Sequence, residues 1–218
     1  MNDSRLWAIT SFFNPYSSRR RRANYDAFRR SLDAPLLTVE WSRDACYELG
    51  PGDADVLIQV DGGDLMWQKE RLLNLAIARL PSACRYVAWL DCDIVFHRTD
   101  WVAETQRRLD DLAIVQLYDR ALYLDAVPLE AMARLRDWRH CTASLERAGV
   151  VAAMSDGHRS SGPVIADDLG AYELAPSKGF AWAAHRALLE RHPLFDEWIV
   201  GGGDSAWFHA ATGTAQAV

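Results

Sequence analysis

Two aspartates with one residue between them, Asp91 and Asp93, directly follow an apolar run at residues 86–90. The run has the aromatic and β-branched composition of a buried strand. Two carboxylates this close repel each other, and burying them is costly unless a cation compensates. A hard divalent cation such as Mg²⁺ or Mn²⁺, held by one or two carboxylates and by substrate phosphates, would do so. The spacing therefore predicts a site for a metal and a diphosphate, with ordinary turn aspartates as the alternative.

A second candidate is the run of three glycines at residues 201–203 followed by Asp204. Glycines let the backbone adopt positive φ angles and approach a ligand closely. Asp204 begins a predicted helix over residues 205–211, where a carboxylate commonly serves as the N-cap. A glycine-flanked carboxylate exposed at the mouth of a sheet also suits a general base. The two roles are compatible.

The elements that must position these carboxylates alternate along the first half of the chain. Strands are predicted at residues 6–13, 35–41, 55–60 and 86–90, with a helix beginning in the arginine run and another at residues 67–80. This alternation predicts a Rossmann-type α/β fold, in which helices flank both faces of a mostly parallel central sheet. Ligands of such sheets bind at the carboxyl ends of the strands, where Asp91 and Asp93 fall.

The second half of the chain is less regular. Its predicted order is a helix at 101–109 capped by Asp100, a strand at 111–118, a helix at 128–150, an irregular loop at 155–168, a strand at 179–184 and a helix at 186–192. The paired Asp167 and Asp168 in the loop offer a second metal site or an ordinary solvated turn.

Composition narrows the function classes. The chain has 218 residues, 50% of them hydrophobic, which suits one α/β domain. A net charge of −6 argues against non-specific nucleic-acid binding, although the arginines at 19–22 form either a phosphate-binding patch or a solvated helix face. We expect no membrane span, because no run of 18 apolar residues occurs. The absence of a signal-peptide pattern and four scattered cysteines predict a cytoplasmic protein.

Taken together, residues 87–96 and 201–204 resemble the GT-A class of glycosyltransferases. In that class an Asp-x-Asp motif follows an apolar strand and holds a divalent metal against the diphosphate of a nucleotide-sugar. Residues 67–71 with Asn74 resemble the helix that precedes this motif in bacterial and phage members. Residues 13–15, with Asn24, Tyr25 and Phe28, look like the nucleotide side of the same class. The resemblance runs from about Leu6 to Ala211.

The resemblance implies transfer of a sugar from a nucleotide-diphosphate donor to a hydroxyl acceptor, either a saccharide or a modified DNA base. Asp91 and Asp93 would bind Mn²⁺ or Mg²⁺. Asp204 would accept the acceptor's proton if the sugar configuration inverts, and would position the acceptor if it is retained. The donor side would include Lys69, Arg71, Asn74, Phe13, Asn14 and Arg22. The acceptor or sugar side would include Gly202, Gly203, Trp182 and Trp207, the two tryptophans being equally suited to the core.

The sequence departs from this class in one respect and leaves other functions open. Members commonly supply a third metal ligand, often a histidine, after the Gly-Gly-Asp helix, whereas His209 lies on the predicted helix itself. We therefore expect residues 1–218 to form a single GT-A-like catalytic domain, either complete or shortened at its C-terminal end. The alternatives are another nucleotide-dependent metal enzyme, such as a nucleotidyltransferase or phosphohydrolase, and a non-catalytic nucleotide-sugar-binding relative. Against the first alternative, the sequence contains no glycine-rich phosphate loop with a lysine.

Overall fold

The computed structural model describes residues 5–132, 138, 141–155, 175–198 and 201–213. The strands in these ranges are β1 (Leu6–Phe13), β2 (Leu36–Ser42), β3 (Val56–Asp61), β4 (Tyr86–Leu90), β5 (Ile114–Gln116), β6 (Arg120–Leu124), β7 (Ala143–Ala148) and β8 (Ala181–His185). The helices are α1 (Arg19–Ser31), α2 (Lys69–Ala78), α3 (Trp101–Leu109), α4 (Leu129–Met132), α5 (Val150–Ser155), α6 (Arg186–Arg191) and α7 (Gly203–Ala211). Within the same ranges, no helix is long and apolar enough to cross a membrane.

The main sheet has the strand order β3-β2-β1-β4-β8-β5. Strands β1 to β4 are parallel, and β8 runs antiparallel to both of its neighbours. From β1 the chain moves outward to β2 and β3, and then crosses back to place β4 on the other side of β1. The crevice outside the carboxyl ends of β1 and β4 is the point of such a sheet at which ligands bind.

Both faces of this sheet are covered, as the alternation of elements predicts. In β1, Trp7 and Ile9 point to one face, and Leu6, Ala8 and Phe12 point to the other, as side chains of a strand must. The first face packs against the apolar sides of α2, α6 and α7. The second packs against α1 and α3. The expected α/β fold, with helices on both faces of a mostly parallel sheet, is confirmed.

The helix predicted for residues 128–150 is wrong over its second half. Among the residues of this span that the structure describes, Leu129–Met132 is helical, whereas Ala143–Ala148 forms strand β7, which pairs with β6 in a separate two-stranded sheet. The pairing places Arg120 beside Glu146, whose side chains form an ion pair of 3.1 Å, and stacks Arg147 on the Tyr123 ring. These cross-strand contacts join positions that are distant in sequence, so the local pattern does not show them.

Smaller differences concern the ends of elements. The strand predicted at residues 111–118 is confined to Ile114–Gln116, and the one at 179–184 begins two residues later, at Ala181. Asp100 occupies the N-cap position of α3 but does not cap it, because its carboxylate pairs with Arg98. The predicted loop pair Asp167 and Asp168 lies outside the described residues.

Candidate functional site

The end of β4 is fixed tightly at the carboxyl edge of the sheet. The Asp91 backbone N–H donates to the Phe180 carbonyl at 2.8 Å, which extends the pairing of β4 with β8 by one residue. On the other side, the buried Thr10 hydroxyl of β1 donates to the Leu90 carbonyl at 2.7 Å. Asp91 therefore emerges between β1 and β8 on a backbone that is held from both sides.

Asp91 and Asp204 converge on the ammonium group of Lys69. The Lys69 Nζ lies 2.6 Å from Asp91 Oδ1 and 3.0 Å from Asp204 Oδ2, so the first residue of α2 bridges the end of β4 and the first turn of α7. Burial works against a charged lysine, but the two carboxylates outweigh it and raise the Lys69 pKa. Three of the residues selected from the sequence thus form one charged cluster.

Asp93 lies beside this cluster, two positions after Asp91 in the chain. It is open to solvent in the crevice, yet the surrounding protein partly desolvates its carboxylate, and this and the Asp91 charge raise its pKa. No described basic side chain forms an ion pair with it. Together, the carboxylates of Asp93 and Asp91 are a suitable pair of oxygen ligands for Mg²⁺ or Mn²⁺.

The rest of a metal's coordination would have to come from a substrate. Among the described residues, no group of three or more His, Cys, Asp or Glu side chains is arranged to hold a metal ion. His209, the histidine that the predicted helix offers, is buried, and its Nε2 lies 3.2 Å from Lys178 Nζ. Two aspartates with phosphate and water oxygens match the usual binding of Mg²⁺ in nucleotide sites, so the residues present fit such an ion.

Asp204 is a first-turn residue of α7 and not its cap. The N-cap is Gly202, at a φ of 92°, and the Asp204 carboxylate reaches Lys69 instead of a backbone N–H. The expectation of an N-cap aspartate is therefore corrected. Burial raises the Asp204 pKa, the Asp91 charge adds to this, and Lys69 opposes it. A raised pKa brings a carboxylate closer to the basicity that proton abstraction at neutral pH needs.

Gly203 allows α2 and α7 to meet at their N-terminal ends. The Glu70 side chain is buried against it, and a Cβ atom at Gly203 would overlap the Glu70 carboxyl group. Burial also raises the Glu70 pKa. The close approach is what carries Asp204 to Lys69, so Gly203 acts through packing.

Substituting Gly203 by alanine should therefore destabilise the fold. We expect Gly203→Ala to lower the free energy of unfolding by about 1–3 kcal/mol, the usual cost of an added methyl group in a packed site. Urea unfolding followed by circular dichroism measures this. Gly50→Ala is the matched control, since a Cβ atom there meets nothing within 4 Å. A Gly203→Ala protein as stable as Gly50→Ala would contradict this close packing of Gly203 against Glu70.

The two tryptophans expected near the sugar lie against each other. Trp182 is buried in the core, and its indole N–H donates to the Lys178 carbonyl. Trp207 is half-buried, with its ring edge-to-face against Trp89 at 4.8 Å and Trp182 at 5.0 Å. Trp182 therefore has no ring face to offer a sugar, and the core alternative holds for it.

Three of the polar residues expected on the donor side have structural partners. Asn74 bonds to both the N–H and the carbonyl of Leu194, and Arg71 pairs with Asp196, so these two side chains fasten the segment after α6 to α2. Arg22 bonds to Asp53 and to the Glu48 carbonyl, and pairs with Asp26 in its own helix, which fastens the loop after β2 to α1.

The end of β1 is the remaining part of the expected donor side. Phe13 packs against Trp41 and Trp67, with centroid distances of 5.0 and 6.0 Å. The Asn14 side chain accepts from the Ser18 N–H and donates to Glu48, and thereby shapes the turn into α1. These residues border the crevice at β1.

Two residues at the crevice were not singled out from the sequence, which offered Arg21 only as one member of the arginine run and did not offer Trp198. Arg21 donates to the Phe13 carbonyl at 2.6 Å, and its charge acts on Asp93, so Arg21 and not Arg22 faces the carboxylates. The arginine run indicates a patch but not which member turns inward. Trp198 is exposed, and its ring edge lies directly over Gly202. A tryptophan just before a glycine run is the signal that would have identified it.

Comparisons with known proteins assign no family. No family model matches the chain, and no curated protein matches it. Among solved structures, it is similar to mannosyltransferase PcManGT from Pyrobaculum calidifontis in complex with GDP-Man and Mn²⁺, at 18% identity and a TM-score of 0.46, over 97% of this chain and 52% of that one. It is also similar to S. aureus TarS 1–349, at 11% identity and a TM-score of 0.47, over 95% and 55%.

A third similar structure is 4-diphosphocytidyl-2C-methyl-D-erythritol synthase from Anaerococcus prevotii, at 13% identity and a TM-score of 0.44, over 97% of this chain and 85% of that one. The chain spans about half the length of the PcManGT and TarS chains. Likeness at this level assigns neither a substrate nor a metal to this protein.

Proposed function

We propose that this protein is a metal-dependent glycosyltransferase that moves a sugar from a nucleotide-diphosphate-sugar to a hydroxyl acceptor. The observation that carries the proposal is the convergence of Asp91 and Asp204 on Lys69, in the crevice between the carboxyl ends of β1 and β4. Lys69 thereby joins a carboxylate suited to holding a metal ion against a diphosphate to a carboxylate suited to proton abstraction. Sugar transfer to a hydroxyl requires these two functions side by side. The resemblance of residues 87–96 and 201–204 to GT-A enzymes supports the same function.

On the donor side, Asp91 and Asp93 would hold Mn²⁺ or Mg²⁺ with the diphosphate. The ion supplies Lewis-acid stabilisation of the charge that develops on the leaving diphosphate. Arg21 adds a guanidinium group near Asp93, and such groups match the geometry of phosphate oxygens. Lys69 is close enough to the same carboxylates to contribute a second positive charge.

On the acceptor side, Asp204 would accept the proton of the attacking hydroxyl if the configuration of the sugar inverts. Gly179 leaves room for its carboxylate, since a Cβ atom there would lie 3.1 Å from Asp204 Oδ2. Lys69 orients the group by donating to both of its oxygens, at 3.4 Å from Oδ1 and 3.0 Å from Oδ2. If the configuration is retained, Asp204 positions the acceptor hydroxyl. The exposed Trp198 near Gly202 offers an aromatic surface on this side.

The proposal is tested by incubating the purified chain with a panel of nucleotide-sugars and Mn²⁺, with and without saccharide acceptors. We expect release of one nucleoside diphosphate, stimulated by an acceptor and accompanied by a mass increase of one sugar on that acceptor. EDTA should abolish both signals. Consumption of a nucleoside triphosphate with no sugar transferred would instead support a nucleotidyltransferase or phosphohydrolase. Nucleotide-sugar binding without turnover would support a non-catalytic relative.

A further inference from the structure

The crevice has a cation of its own. Among the described residues, Lys69 is the one basic side chain that forms an ion pair with Asp91 or Asp204. Its side chain is only 11% exposed, against 26% for Asp91 and 31% for Asp204, so the lysine is more deeply buried than either carboxylate. Glu70 adds a further buried carboxyl group next to it. Lys69 is therefore the main source of positive charge in contact with this acidic site.

The position of Lys69 in its helix makes this placement informative. It is the first residue of α2, and a helix N-terminus carries a partial positive charge that disfavours a cation. The two ion pairs offset this unfavourable position. The Gly203–Glu70 packing holds α7 against α2, which keeps Asp204 within reach of the same ammonium. Lys69 thus joins the expected metal side of the crevice to the expected acceptor side.

We propose that Lys69 is an exchangeable internal cation, which neutralises Asp91 and Asp204 in the metal-free protein and gives up Asp91 when a divalent cation binds there. This inference rests on the proposed metal site. Lys69 and a divalent ion on the same partly buried carboxylate would repel each other strongly, because the surrounding protein screens charges less than water does. The contact that Lys69 must give up is the one of 2.6 Å between its Nζ and Asp91 Oδ1.

The exchange would couple the binding of the metal ion and the diphosphate to the activation of the acceptor hydroxyl by Asp204. Once Lys69 leaves Asp91, Asp204 and the bound diphosphate remain as its anionic partners. Lys69 would then hold Asp204 in the same orientation while contributing its charge to the phosphates. In this role Lys69 is a positioning residue for Asp204, and its effect on metal binding is competitive.

Direct binding of Mn²⁺ alone tests the exchange. Lys69→Gln removes the competing charge, and we expect it to bind Mn²⁺ roughly fivefold more tightly than the wild-type protein, as the loss of one partly exposed ion pair allows. Titration followed by the electron paramagnetic resonance signal of free Mn²⁺ measures this. Lys69→Arg, which keeps the charge, should bind Mn²⁺ like the wild-type protein. Arg79→Gln, at the other end of the same helix, controls for the loss of one positive charge.

Two outcomes would overturn the inference, and they are distinguishable. Equal or weaker Mn²⁺ binding by Lys69→Gln shows that Lys69 does not compete, and leaves the proposed function in place. No Mn²⁺ binding by any of these proteins, with or without nucleoside diphosphates, removes the metal site of the proposed function as well. Thermal unfolding provides a second readout, because Mn²⁺ should raise the unfolding midpoint of Lys69→Gln more than that of the wild-type protein.

A second variant keeps the test independent of Lys69→Gln. In Asp204→Asn, Lys69 retains Asp91 as its ion-pair partner and should hold it more firmly, so Mn²⁺ binding should weaken severalfold. The double variant Lys69→Gln/Asp204→Asn should lose most of this weakening, since no lysine is left to compete. The same weakening by Asp204→Asn with and without Lys69 would overturn the proposal.

Discussion

Replacing Asp91 and Asp93 together by asparagine should abolish Mn²⁺-dependent nucleotide binding and lower the rate of sugar transfer by roughly three orders of magnitude or more. Asparagine keeps the size of each side chain but removes the charges that would hold the metal against the diphosphate. Metal stabilisation of a leaving group is worth several kcal/mol, and each loss of about 1.4 kcal/mol costs tenfold in rate. Calorimetric titration with the nucleotide and the initial rate of nucleoside diphosphate release measure the two effects.

The control for this variant is Asp33→Asn, an exposed aspartate that follows α1 at the opposite edge of the sheet. It should match the wild-type protein in both measurements. The double variant must also be shown to be folded by circular dichroism, because Lys69 loses one of its two anionic partners. A folded Asp91→Asn/Asp93→Asn protein that still bound nucleotide with the same dependence on Mn²⁺ would remove the metal assignment.

Substituting Asp204 by asparagine should lower the rate of sugar transfer much more than the affinity for the nucleotide. We expect Asp204→Asn to lower the transfer rate at saturating donor by roughly 10²- to 10⁴-fold, the usual contribution of a general base. Its affinity for the nucleotide in the presence of Mn²⁺ should stay within about tenfold of the wild-type value, since the nucleotide contacts are expected at Asp91, Asp93 and Arg21. Initial rates and calorimetry on the same preparation give the comparison.

Asp111→Asn serves as the control for Asp204→Asn, since Asp111 is exposed just before β5 and far from the crevice in the sheet. A transfer rate unchanged by Asp204→Asn would show that this carboxylate neither accepts the proton nor orients the acceptor. Loss of nucleotide binding as large as the loss of transfer would place Asp204 on the donor side instead.

The first part of the fold could be predicted because local pattern and tertiary structure agree there. The strand at residues 6–13 matches β1 fully, since its apolar residues supply both faces of a doubly covered sheet. Ser18 caps α1 through the Arg21 N–H, as its residue type suggests. The β6–β7 pair was missed because its strands are short and partly exposed, and because the helix predicted from residue 128 was extended through β7 to residue 150.

The candidate site divides in the same way. Asp91, Asp93 and Asp204 can be recognised from residue type, spacing and flanking glycines, because each of these patterns extends over only a few neighbouring residues. The bridge through Lys69 cannot be recognised in this way, because Lys69 and Asp204 are 135 residues apart in sequence. The choice of Arg21 over Arg22 depends on which side of α1 faces β1, a difference of one position in a run of identical residues.

A calorimetric titration of the wild-type protein with a panel of nucleoside diphosphates, once with Mn²⁺ and once with EDTA, tests the proposed donor site without any substitution. We expect one nucleotide to bind with Mn²⁺ and EDTA to remove this binding, which would also identify the base of the sugar donor. Equal binding under both conditions, or binding of no nucleotide under either, would contradict a metal-dependent donor site at Asp91 and Asp93.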